Sequence, residues 1–144
     1  VNTHDLPPAA GYLEYGHVKL REQLGLLSGP VEEFQKSAEA EHNAMLSMLV
    51  DEGYLDASAL EDELANENEI IDALYRGLKG SPCKLMAASI VDAVGEKRTQ
   101  NQPGTSNEYP NWRIPLADGD GNVVPLEQLF DNTRLQEIAA IMRG

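Results

Sequence analysis

Lys84-Leu85-Met86-Ala87-Ala88-Ser89-Ile90 is the one stretch of this chain that reads as a buried strand: a short apolar run bounded by turn signals, with Gly80-Ser81-Pro82 just before it. Its reading decides the fold class, because nearly everything on either side carries helical spacing. With that strand the chain is α/β; without it the chain is a set of helices. Ile90 to Val94 already turns towards a short helix.

Working upstream, Glu61 to Leu78 reads as one or two helices, with Asn66 to Asn68 as the break. Ser58-Ala59-Leu60-Glu61 before it matches a capping box, in which the Ser oxygen and the Glu side chain each satisfy an orphan N–H. From Val31 to about Gly53, Phe34, Ala38, Met45, Met48 and Leu49 fall largely on one stripe. Glu32 and Glu33 favour the N-terminal end of that helix dipole, and Gly53 stops it. Ala9 to Leu27 places Leu20, Leu24 and Leu27 at helical spacing, and Pro30 suits the first turn of the helix that follows. Downstream, Glu96 to Arg113 is polar, Pro-bearing and long, the mark of a functional or disordered loop. Pro125 to Phe130 makes a short helix, and Asn132 or Thr133 caps a last one running to Met142.

The chain has 144 residues, a formal charge of -13 and a single cysteine. That length suits one compact domain. Hydrophobic content of 42% fits a globular chain, as does a mean hydropathy of -0.38. No apolar run approaches the ~20 residues of a membrane span, and no signal peptide opens the chain. The acid excess argues against a nucleic-acid partner and against docking on an anionic membrane. A neutral ligand meets no such repulsion, and a sugar chain is neutral. Lone Cys83 makes no internal disulfide, which fits a reducing cytoplasm. The acids of Glu61 to Asp72 sit in helical runs and read as solvated faces or i,i+4 partners.

Two motifs carry chemistry. Thr3-His4-Asp5-Leu6-Pro7-Pro8 opens the chain; on chemistry alone, an adjacent His and Asp is better read as a solvated turn or a helix cap. The prolines change that, because each locks its own φ and pushes its predecessor extended, fixing the backbone after Asp5. The second is Asn101-Gln102-Pro103-Gly104-Thr105-Ser106-Asn107-Glu108-Tyr109-Pro110-Asn111-Trp112-Arg113. By composition it is a punctuated surface loop; the sharper reading notes the flat faces of Tyr109 and Trp112 beside amide and guanidinium donors. Asp118, Asp120 and Asn122 mimic a calcium loop, but Val123 stands where Gly is needed and Leu129 where a bidentate Glu is needed, so a turn is expected. His17, His42 and Cys83 lack metal-ligand spacing.

Together and in this order, the two motifs resemble the C-terminal part of the 4-α-glucanotransferases (amylomaltases, glycoside hydrolase family 77) in their bacterial form. Gly11-Tyr12 and Leu24-Gly25-Leu26-Leu27 fit the same form. Ser81-Pro82-Cys83-Lys84-Leu85, followed by Asp92-Ala93-Val94-Gly95, looks like the approach to, passage through and exit from an eighth barrel strand. The middle, Val31 to Lys79, matches nothing diagnostic. The resemblance implies an α/β fold in which residues 1–144 are the C-terminal segment of one catalytic (β/α)8 TIM barrel domain. Residues 1–8 would be an active-site strand end and loop, 9–80 a helical region, 81–113 the last strand and a sugar-proximal loop, and 114–144 closing helices. The chain alone would be mostly α-helical with about one barrel strand. Val1-Asn2-Thr3 would end an extended segment, and the chain would be a cut or truncated piece.

The implied activity is transfer of α-1,4-glucan segments between malto-oligosaccharides by a retaining double displacement, without a cofactor or metal and in the cytoplasm. Such cleavage uses a carboxylate nucleophile, a carboxylic acid and a transition state that resembles an oxocarbenium ion. By the resemblance, Asp5 is the catalytic carboxylate that grips the 2- and 3-hydroxyls of the transferred glucose. It would be neither nucleophile nor proton donor. His4 would donate to the same sugar, and Asn101 would lie near the bound glucan. Trp112 and Arg113 would be packing and ion-pair residues. The nucleophile and acid/base would precede Val1, so the chain's other partner would be the remaining N-terminal part of the same enzyme, and the isolated piece would be inactive. An α-glucan hydrolase and a stand-alone acidic helical interaction module are the rival readings.

Overall fold

A computed structural model describes residues 3–143, so two of the three residues expected to end an extended segment, Val1 and Asn2, lie outside it. The elements in chain order are α1 (Ala9–Leu13), α2 (Gly16–Gln23), α3 (Val31–Asp51), a 3-10 helix (Ala57–Glu61), α4 (Glu67–Gly80), α5 (Ile90–Ala93), α6 (Leu126–Leu129) and α7 (Thr133–Arg143).

The core is organised around α4, which buries Ile70, Ile71, Ala73 and Tyr75. Ala10 and Leu13 from α1, Leu46 and Leu49 from α3 and Ile138 from α7 close over it. α3 turns Ala38, His42, Leu46 and Leu49 inward, spacings of four, four and three that put them on one face. Its remaining faces carry Glu32, Glu33, Glu39 and Glu41, all exposed. α7 packs on α4 and is tied to it by Arg134, whose guanidinium donates to Asp72 Oδ1 at 2.8 Å. Asn132 caps α7, accepting from Leu135 N–H at 2.8 Å, one of the two capping residues expected.

Three local expectations are corrected. The single helix foreseen over Ala9 to Leu27 is two, because Tyr15 takes a left-handed φ of 58° between them. The cap before Leu60 is Asp56, not Ser58: its carboxylate accepts from both the N–H and the hydroxyl of Ser58, at 2.8 and 2.6 Å. A carboxylate is the stronger acceptor, so the helix begins earlier and tightens into 3-10 form.

The largest correction concerns Lys84 to Ile90. Among the described residues there is no strand; the one ladder contact is an isolated antiparallel bridge between Ala117 and Val123. Leu85 is 93% exposed and Ile90 46%, so the apolar run is not buried here either. A strand exists only through hydrogen bonds to neighbours, and nothing else in the described chain offers a free backbone edge alongside this run. Helices close their own hydrogen bonds and survive without such neighbours, which is why the rest of the pattern stands.

Candidate functional site

The site is assembled where the two motifs meet. A turn closed by Leu6 N–H to Thr3 C=O (3.1 Å) presents His4 and Asp5 at the surface, and Pro7-Pro8 leads directly into α1. The loop after α5 then straps this turn from the other side. Asn101 N–H donates to His4 C=O at 3.1 Å, and the Thr99 hydroxyl donates to Leu6 C=O at 3.1 Å. Between these two backbone ties, the Asn101 amide donates to Asp5 Oδ1 at 2.7 Å. His4 Nε2 lies 3.4 Å from Asp5 Oδ2. His4, Asp5 and Asn101, singled out in separate motifs 96 positions apart, are thus brought together. Asp5 and His4 remain 45% and 59% exposed. Asp5 is therefore an oriented but open carboxylate: an ionised carboxylate has about four acceptor positions, and its partners here leave some free.

The loop's rigidity comes from residues both before and within the second motif. Gly95, at φ 79°, ends α5 with Gly95 N–H to Asp92 C=O and Glu96 N–H to Val91 C=O, a Schellman closure that launches the loop. Glu96 then turns inward and is 1% exposed. Its Oε1 accepts from Arg98 N–H and Nε, both at 2.9 Å. Its Oε2 accepts from Arg98 at 2.7 Å and from Ala117 N–H at 2.9 Å. Burial alone would raise the Glu96 pKa, but those donors more than offset it and hold the carboxyl below its ordinary range. Further along, Asn111 Oδ1 accepts from Gln102 N–H at 2.7 Å and its amide donates to Thr105 Oγ1 at 2.8 Å. Tyr109 OH donates to Thr99 C=O at 2.7 Å, so Tyr109 serves as an anchor of the loop.

A second buried carboxylate fixes the opposite flank. Asp92, 1% exposed, accepts from Ala9 N–H, the first residue after the two prolines, at 2.8 Å. Its other oxygen accepts from Tyr75 OH at 2.6 Å, and that hydroxyl accepts in turn from Ser89 N–H at 3.0 Å. Burial, then the bond to Asp92, pushes the Tyr75 pKa well above its ordinary value. α1 also lies hard against the site loop: a Cβ added at Gly11 would stand 2.1 Å from Lys97 O. Lys97 Nζ reaches Glu14 Oε1 at 2.5 Å. None of these roles carries a local signature: Gly11 and Asp92 stand in stretches noted for the resemblance, but their packing roles are not written there, and Glu96 looks ordinary in sequence.

Trp112 and Arg113 are expected to hold this loop against a barrel, and the described residues contain no barrel against which to test that. Trp112 is 65% exposed, and Arg113 is exposed and makes no ion pair among the described residues. Beside Asp5, a half-open cleft of about 300 Å³ runs between Pro7, His17, Leu20, Arg21, Tyr109 and Ile114. Burial, then the nearby Arg21, lowers the His17 pKa. The expected turn at 117–122 is present, with Asp118 accepting from the N–H groups of Asp120 and Asn122. No group of three or more His, Cys, Asp and Glu among the described residues is placed to hold a metal. No helix among them is long and apolar enough to cross a membrane.

The family described as 4-alpha-glucanotransferase (Glyco_hydro_77) matches residues 1–119. The chain is 48% identical over all 144 residues to the 4-alpha-glucanotransferases of Mycobacterium tuberculosis and Mycobacterium bovis, covering 19% of each. It is 28% identical over 139 residues to that of Haemophilus influenzae, again covering 19% of the relative. The chain therefore spans about a fifth of the length of the curated relatives it matches. The crystal structure of amylomaltase from Corynebacterium glutamicum is similar over 99% of this chain and 21% of its own, with a TM-score of 0.83 at 37% identity.

Proposed function

The chain belongs to the 4-alpha-glucanotransferase family, and on that premise we propose that it is the C-terminal part of a (β/α)8 barrel enzyme that moves α-1,4-glucan segments from one malto-oligosaccharide to the 4-hydroxyl of another. The proposed chemistry is a retaining double displacement, with the nucleophile and the acid/base supplied by polypeptide outside residues 1–144. The soluble, cytoplasmic setting expected from the sequence is part of the same proposal.

Asp5 carries the argument. Its Oδ1 is held by Asn101 at 2.7 Å, and the residues on either side of it, His4 and Leu6, accept one hydrogen bond each from the 99–101 loop at their carbonyls. A carboxylate fixed before the sugar arrives needs no reorganisation when positive charge develops at the anomeric centre. Its free lone pairs accept from two sugar hydroxyls. Those bonds strengthen as the ring flattens and its hydroxyls become more acidic, so the transition state gains more than the ground state. His4 donates to the same ring, and Asn101 keeps the carboxylate pointed.

The test is Asp5→Asn in the protein of full family length. Turnover of maltotriose should fall about 100-fold or more, with sugar affinity changed far less. An Asn variant with near-normal turnover would remove Asp5 from the mechanism. Chromatography of the products separates transfer from hydrolysis: glucose together with longer chains marks transfer, whereas water as acceptor gives only shortened chains.

A further inference from the structure

Trp112 stands in a place that stability does not favour. Arg113 N–H closes on Pro110 C=O at 3.0 Å, making Trp112 the third residue of a turn. Its φ of 60° is left-handed. That position normally takes Gly or Asn, because a Cβ there crowds the following carbonyl oxygen. A bulky aromatic is among the least suited residues to it, and burial does not compensate, since the side chain is 65% exposed. Strain of this kind persists where the surroundings impose it, and Trp112 N–H is indeed held by Gln100 C=O at 2.9 Å. Gln100 immediately precedes Asn101, so the same short strap that orients Asp5 also sets Trp112.

The indole is directed at the site. Its ring centroid lies 5.3 Å from that of His4, with the planes tilted by 40°. Trp112 thus extends the row Asn101, Asp5, His4 by one flat apolar surface, in contact with His4 on one side and open on the other. A pyranose presents a face of C–H groups to which such a surface is complementary, and the ring's width exceeds what His4 alone covers.

We infer that Trp112 is a specificity-determining residue: a stacking platform for the glucose unit adjoining the one held by His4 and Asp5. This rests on the glucan-transfer reading above. It binds ground and transition states alike, so it acts on affinity and on the preferred glucan length, not on the chemical step.

The experiment uses the protein of full family length, with maltotriose as probe and products resolved by chromatography, comparing wild type with Trp112→Tyr, Trp112→Met and Trp112→Gly. Met fills space without a flat face, Tyr keeps the face, and Gly removes the side chain while suiting the backbone. The Met and Gly variants should show KM about tenfold higher with kcat within about twofold, and Tyr should restore KM to within about threefold. The Gly variant should melt no lower than the Met variant, because it relieves the left-handed strain. Unchanged KM in both Met and Gly variants overturns the platform, as does a parallel loss of kcat and melting temperature in Met and Tyr alike, which would mark Trp112 as buried packing. A wild-type protein that forms no longer chains from maltotriose defeats the transfer reading itself, and the platform with it.

Discussion

Replacing Tyr75 by Phe removes one oxygen atom and tests how the buried Asp92 network supports the site. The ring is fully buried and the substitution keeps its packing, so the change isolates the hydroxyl. That hydroxyl donates to Asp92 Oδ2 at 2.6 Å and accepts from Ser89 N–H at 3.0 Å. Its raised pKa keeps it protonated, and so a donor, throughout the working range. Hydrogen bonds to charged groups contribute about 1.5–3 kcal/mol, and a stranded backbone N–H adds about 1 kcal/mol more. A local loss of about 2 kcal/mol is therefore the conservative expectation, which at about 1.4 kcal/mol per decade corresponds to roughly 30-fold faster opening. Hydrogen exchange read by mass spectrometry, on peptides covering 9–13 and 89–93, should show that acceleration in both segments together. The coupling is physical: Asp92 ties Ala9, on the exit of the Pro7-Pro8 turn, to the start of α5. Glucan turnover should fall as well, but by less than in Asp5→Asn, because Asn101 still holds the carboxylate. If exchange at both segments changes by less than about twofold, Asp92 is held by other means and the network does not anchor the site.

Gly11→Ala should destabilise the protein by about 2 kcal/mol: the new Cβ meets backbone at Lys97, which cannot swing aside, and an overpacking cost of about 1–3 kcal/mol outweighs the helix preference of Ala. Thermal melting checks it, and an Ala variant as stable as wild type would show that α1 and the loop can separate freely. Glu96 gives an acid limit. Its folded pKa is depressed, so its contribution is complete above the unfolded value, about 4.3, and is lost as the pH falls through the lower folded value. Melting temperature should drop across that window in wild type. Glu96→Gln should be less stable by about 2–3 kcal/mol at neutral pH and lack that part of the acid response; equal pH slopes in the two proteins would refute the assignment.

The helices were readable because their information is local. Spacing within one segment places Ala38 and Leu49 on the buried stripe of α3 and backbone chemistry places its stop at Gly53, as found, but spacing also puts Met48 there, which is 45% exposed, and misses His42 and Leu46, which are buried. The break at Tyr15 was not readable, since nothing in the local sequence marks a tyrosine for a left-handed φ. Asp56 displaced Ser58 as a cap because two acceptors competed and the charged one won. At the site, the residue types of His4, Asp5 and Asn101 drew notice through the resemblance, but the Asn101–Asp5 bond joins positions 96 apart and no pattern encodes it. The anchoring roles of Glu96 and Asp92 escaped notice for a related reason: a buried carboxylate looks like any other until its donors arrive from elsewhere in the chain. Trp112 was expected to pack the loop against a barrel, and the left-handed turn that carries it is invisible in composition.

The failed strand and the open site have a common physical origin on the proposed reading. A self-contained protein of 15.8 kDa exposes roughly 7,300 Å², whereas this chain exposes 8576 Å². Leu85, Met86 and Ile90, with Leu126 and Phe130, are among its exposed large apolar side chains. Ile90, Leu126 and Phe130 line one groove against α7. A run that is apolar, short and unpaired is what a central parallel strand becomes when both neighbours are outside the described residues, because such strands are buried on both faces only in the assembled sheet. Asp5 is likewise approached from one side only: Asn101, His4 and the loop behind them fix its position and leave the opposite side open. A group that stabilises charge, but neither attacks nor protonates, is useful only across a gap from residues that do. On the proposed reading, the open side of Asp5 and the unpaired run at Leu85 would be complementary demands on polypeptide outside residues 1–144, which would pair the run and bring the remaining carboxylates to the sugar.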